Sequence, residues 1–65
     1  MKIIFVTKSG YGAYMFADNV VNKKDVVELR NHENKIQHIL IKIDFKSIKV
    51  IDDEGNITDL KRKEN

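Results

Sequence analysis

His32 and His38 stand six residues apart and are the chain's two imidazoles. A metal centre needs three or four converging ligands. The chain has no cysteine to supply a thiolate, and Asp25, Glu28 and Glu33 keep no ligand spacing with the histidines. No metal site is therefore expected. His32 falls in a polar stretch and is expected in solvent, and His38 on a sheet surface or interface. Thr7, Ser9, Ser47 and Thr58 offer hydroxyls, but none is spaced so that one element joins it to a base, as activated nucleophiles require. Asp52-Asp53-Glu54 with Gly55 has the acids of a calcium loop without the alternate ligand spacing or the distal glutamate. It is expected to be a solvated turn. The sequence thus predicts no catalytic set, no cofactor and no enzyme.

Ser9 to Phe16, "SGYGAYMF", is the other chemistry-bearing stretch. A glycine-rich loop cradles phosphate when it opens a helix. Here a strand follows and no Gly-Lys-Ser/Thr is present, so a nucleotide loop is not expected. Gly10, Tyr11, Gly12 and Phe16 resemble the aromatic octamer of RNA-recognition motif domains, on whose rings bases stack. Ile4-Phe5-Val6 looks like that family's second motif. Only Thr7 to Ser9 separate the two, where the family places a helix and a strand, so membership is not implied. Stacking on exposed rings remains as an expectation. Phe5 and Phe16 are expected in the core, Tyr11 in solvent, and Tyr14 between the two.

Lys and Arg number 12 against 10 Asp and Glu. That is a weak pull toward nucleic acid, whose affinity grows with the phosphates neutralised. Only Arg30 and Arg62 carry the guanidinium fork that suits phosphates and bases. The richest basic run is Lys61-Arg62-Lys63, with acids close by. The candidate partner-binding residues are Lys8, Tyr11, Tyr14, His38, Leu40, Lys61, Arg62 and Lys63. The abundance of Lys, Ile and Asn fits A/T-rich codons, as in a low-GC bacterium, a phage or a mobile element.

These residues need elements to position them. Lys2 to Thr7 is β-branched and aromatic, and reads as a central strand. Ser9 to Gly12 is expected to turn, since glycine accepts positive φ. From Ala13, strand alternation puts Tyr14, Phe16 and Val20 on one face and Ala13, Met15, Ala17 and Val21 on the other. This strand is expected through Ala17. Val26 to Arg30 puts Val27 and Leu29 on one face and Glu28 and Arg30 on a wet one. A helix over Val20 to Asn31 would carry Lys23 and Lys24 in its apolar stripe, so strand ranks above helix. Ile36 to Ile43 alternates strongly, with Ile39, Ile41 and Ile43 on one face and Ile36, His38, Leu40 and Lys42 on the other. Asp44 to Ser47 breaks the alternation and suggests a 3-10 turn before Ile48 to Ile51. Asp52 to Asn56 turns on Gly55, and Ile57 to Leu60 returns as a short edge strand.

The expected fold is all-β: one domain over residues 1–60 and a charged tail over 61–65. It is a small antiparallel barrel or strongly curved sheet of five to six short strands, with a 3-10 turn before the fifth. Ile36 to Ile51 is similar to the close of Sm-like and Src-homology-type barrels, a likeness of fold alone. The longest apolar run near the start has four residues, below the h-region of a signal peptide, and none approaches a membrane span. A cytoplasmic protein without membrane contact is expected. Sixty-five residues bury only about 60% of the unfolded surface. With both faces apolar at Ile3–Val6 and Ile36–Ile43, one sheet cannot cover itself. The expected function is non-catalytic binding, as a small regulator or inhibitor acting on a protein partner or by homo-oligomerisation. The alternative is a nucleic-acid-binding barrel that uses exposed Tyr and Lys/Arg.

Overall fold

A computed structural model describes residues 1–61. Seven strands form in chain order: β1 (Lys2–Thr7), β2 (Gly12–Phe16), β3 (Asn19–Asn22), β4 (Val26–Arg30), β5 (Ile36–Ile41), β6 (Phe45–Ile51) and β7 (Ile57–Asp59). A 3-10 turn at Lys42–Asp44 separates β5 from β6. All pairings are antiparallel. They make a four-stranded sheet in the order β2-β1-β6-β7 and a three-stranded sheet in the order β3-β4-β5.

The all-β antiparallel class and a 3-10 turn ahead of the penultimate strand agree with the sequence reading. The turn falls at Lys42–Asp44, however, earlier than Asp44 to Ser47, and Phe45 to Ser47 already belongs to β6. Two further points differ. Seven strands replace the five or six expected, and the sheets do not close into a barrel. The stretch Ala13 to Val21 accounts for the extra strand. It bends at Ala17-Asp18, so β2 belongs to one sheet and β3 to the other. The Ala17 N–H donates to the Met1 carbonyl at 3.0 Å, which anchors the bend beside β1. Val20 to Asn31 is strand and turn, as ranked above helix.

The first turn spends one glycine on backbone geometry. Gly10 takes φ +93°, while Gly12 already belongs to β2. Thr7 closes the loop: its N–H donates to the Tyr11 carbonyl at 2.8 Å, and its hydroxyl accepts from the Tyr11 N–H at 3.0 Å. Two further turns use an acceptor side chain in the same way. The Asn31 Oδ1 accepts from the N–H groups of Glu33 and Lys35. The Asp52 Oδ1 accepts from those of Glu54 and Asn56. Asn and Asp side chains mimic a backbone turn through such bonds.

The core lies where the two sheets face each other. Ile3, Ile48 and Val50 come from the first sheet, and Val27, Leu29 and Leu40 from the second. Phe5, Met15, Ala17, Val20, Phe45 and Leu60 pack around them. Phe5 and Phe45 meet edge to face with centroids 5.3 Å apart, a favourable aromatic geometry. A register shift at Val6/Thr7 lets Thr7 pair with Phe45.

Candidate functional surfaces

Strand alternation gives each sheet an outer face, and the side chains on these faces are the ones free to act. On the first sheet Ile3, Phe5, Met15, Ile48 and Val50 point inward. Their neighbours point out. Cross-strand register aligns Phe16 with Lys2, Ile51 and Ile57, and Tyr14 with Ile4, Lys49 and Asp59. Tyr14 is 61% exposed and Phe16 68%. Their rings meet edge to face at 5.7 Å, and the Lys2 ammonium sits 4.5 Å from the Tyr14 ring centroid. That is cation–π distance.

Phe16 is therefore not a core residue. It shares the outward parity of Tyr14, while Ala13 and Met15 turn inward and half-bury against the core. Tyr11 is exposed in the first turn, as expected, and Lys8 stands exposed in the same turn.

On the second sheet β5 is an edge strand, paired to β4 alone among the described residues. Leu40 faces inward and is 9% exposed. This corrects its place among surface candidates: the His38–Leu40 parity looks toward the core side, though His38 itself stays exposed. The other parity carries the free apolar surface. Ile39 and Ile41 lie exposed there, with Ile43 beyond them in the 3-10 turn, and a register shift at Gln37 sets Ile36 opposite Arg30 on the same side.

The face with Glu28 and Arg30 was expected to be wet. Glu28 is instead only 6% exposed, the one buried charged side chain among the described residues. Both carboxylate oxygens are satisfied. Oε1 accepts from Arg30 Nη2 at 2.6 Å and Nε at 3.1 Å, and Oε2 lies 3.2 Å from the Lys23 ammonium. Arg30 also donates to the Asn34 carbonyl at 2.9 Å. The Arg30 hydrogen bonds, with Lys23 in support, hold the Glu28 carboxyl below its ordinary value of 4.5 against the opposing effect of burial. A general acid needs the reverse, a raised carboxyl beside its substrate. Asp52 is likewise held below 3.8, chiefly by the Asn56 N–H, with smaller help from the Asn56 side chain, Glu54 and Gly55.

These two carboxyls set an acid limit on the fold. A folded pKa below the unfolded one contributes stability above the unfolded value and loses it as pH falls through the folded value. The urea midpoint should therefore be level down to about pH 4.5 and drop steadily below it. A midpoint unchanged well below pH 3.8 would contradict this account of both groups.

The remaining candidates are not brought together. His32 lies 3.8 Å from Asp18, both well exposed, and no group of three metal-ligating side chains occurs among the described residues. Lys61 is half-buried and its ammonium donates to the Phe45 carbonyl, so it helps to hold the first sheet. Arg62 and Lys63 lie outside the described residues. A cleft of about 220 Å³ runs past Met1, Val20, Asn22, Val50 and Leu60. It is below the usual size of small-molecule pockets, roughly 300–1,000 Å³. No described helix is long and apolar enough to cross a membrane. Comparison with protein-family models, curated proteins and solved structures finds no match.

Ile39, Ile41, Phe16, Lys2 and Lys49 join the surface as residues that sequence reasoning left out. The signal was parity. Once Met15 and Leu40 are known to face inward, their odd or even neighbours must face out.

Proposed function

We propose that the chain is a non-catalytic interaction protein that self-associates through the free edge of β5. The carrying observation is that this is the longest edge and has neither charge nor proline, its one register shift lying near its start at Gln37. Natural edge strands are shortened, charged or interrupted by proline to prevent pairing between chains. The β3 edge has four residues, and the β7 edge has three and ends in Asp59; the β2 edge, Gly12–Phe16, is also uncharged but shorter, at five residues, and starts on a glycine. The β5 edge runs for six residues, Ile-Gln-His-Ile-Leu-Ile, without Lys, Asp, Glu or Pro.

The occupant that fits is a second copy of this chain. Two β5 strands paired about a two-fold axis satisfy each other's outward N–H and C=O groups. The same contact brings both sets of Ile36, Ile39 and Ile41 together, as an isologous interface does. A small domain that leaves such residues in water gains most from this burial.

Sedimentation velocity across roughly 10 µM to 1 mM tests the reading, a range set by the weak affinity of a short strand interface. The mass should climb from one chain toward two. A single-chain mass at every concentration would sink it.

A further inference from the structure

The outer face of the first sheet carries a different chemistry, independent of β5. We propose that this face binds single-stranded nucleic acid, with bases stacked on Tyr14 and Phe16 and phosphates taken by Lys2, Lys49 and Lys8.

Four observations carry it. First, two aromatic rings stand more than half exposed on one strand, although only six apolar side chains are buried among the described residues. Their exposure is not a shortage of polar residues, because Met15 between them turns inward. Second, the face mixes rings with cations. Lys2 lies beside Phe16 and Ile51 in register, and Lys49 lies two strands from Tyr14. A protein interface core is depleted in lysine, whereas a nucleic-acid strand offers a base for each ring and a phosphate for each ammonium.

Third, the lysines are available. Lys2, Lys8, Lys46 and Lys49 belong to this sheet or its first turn, and none is in an ion pair among the described residues. Asp59, opposite Lys49, is the one acid at an outward position of the four strands. Fourth, the spacing suits unstacked bases. Tyr14 and Phe16 are two residues apart on one strand, and their ring centroids lie 5.7 Å apart with the planes nearly perpendicular. That is wider than the roughly 3.4 Å rise of stacked bases in a duplex strand. Neighbouring bases can reach successive rings only if the strand is extended and single.

The test is fluorescence anisotropy of labelled oligothymidylate and oligouridylate, about 15 nucleotides long, at roughly 20 mM salt. Binding is expected to weaken with salt at a log–log slope near −2, from about three phosphates neutralised. The double variant Tyr14→Ala/Phe16→Ala should weaken it at least about tenfold. Both rings are exposed, so circular dichroism should match the parent. Lys2→Gln/Lys49→Gln should make the salt slope shallower. Absence of binding at low salt overturns the proposal. So does binding that the aromatic double variant leaves unchanged. If that variant instead lowers the sedimenting mass and no oligonucleotide binds, the face is a protein interface and the proposal is wrong. Failure of the β5 edge reading would show in mass alone and leave this outcome untouched.

Discussion

Ile48→Ala is expected to lower the thermal midpoint by roughly 10–30 °C and to leave a large unfolded fraction at 37 °C. Ile48 is fully buried and pairs in register with Phe5 on β1. It lies in the middle of β6, between the two strands that border it in the first sheet. Truncating such a side chain removes its transfer free energy and leaves a cavity, together about 2–5 kcal/mol. A domain of this length has a total stability of roughly 3–10 kcal/mol. The loss is therefore a large share of the whole. The core contains six buried apolar residues, so no large neighbouring reserve can collapse into the gap. A melt followed by circular dichroism reads the shift. A midpoint within a few degrees of the parent would mean that the contact between the two sheets is not what holds the fold. Phe16→Ala is the matching control, because its ring is already in water and its loss should cost little.

The same inward-facing set explains which parts of the architecture were legible. Val27 and Leu29 read as one buried face of β4, and they are. Gly55 reads as a positive-φ turn residue, and it takes φ +86°. The existence of the 3-10 turn is visible because the alternation breaks near Asp44, although the turn itself occupies Lys42–Asp44. These features depend on neighbours in sequence. What escaped depends on the other sheet. Alternation from Ala13 assigns either Tyr14, Phe16 and Val20 or Ala13, Met15, Ala17 and Val21 to the inside. The molecule uses Met15, Ala17 and Val20, because the bend at Asp18 shifts parity by one as the chain changes sheets. Nothing local marks that shift, so alternation alone does not say which face of β2 is inside, and the expectation that a large ring is buried put Phe16 on the wrong one.

Glu28 shows a related limit. Glu-Leu-Arg on a strand looks like a wet face, yet the Arg30 side chain folds back over the carboxylate of its neighbour two residues away. Lys23 closes the other side from the turn that joins β3 to β4. The carboxylate is buried by its own cations. Leu40 differs again. Its strand has apolar residues on both parities, so sequence cannot tell which side meets the second layer. The three isoleucines at 39, 41 and 43 look like the better core face and are the exposed one. Here the edge position of β5 decides: its inward parity touches the core, and its outward parity has no layer above it.

Ile39→Lys is expected to weaken self-association at least about tenfold while leaving the monomer folded. Ile39 is 53% exposed and lies opposite Glu28 in register. In the monomer the new ammonium stands in water, because position 39 is already half exposed. The thermal midpoint should hardly move. In the associated state the same side chain must either enter an apolar contact or bend away from it. The isoleucine contact worth about 1.5–3 kcal/mol on full burial is lost as well. A two-fold interface doubles the penalty, since each copy brings the substitution. Ile57→Lys supplies the comparison: Ile57 is also exposed, but lies on β7 at the far edge of the other sheet. Sedimentation should show Ile39→Lys monomeric at concentrations where the parent and Ile57→Lys associate. The reverse pattern would move the interface to the β7 edge. There a strand of only three residues would have to be outweighed by apolar contact from Ile51 and Ile57, which lie side by side on the outer face.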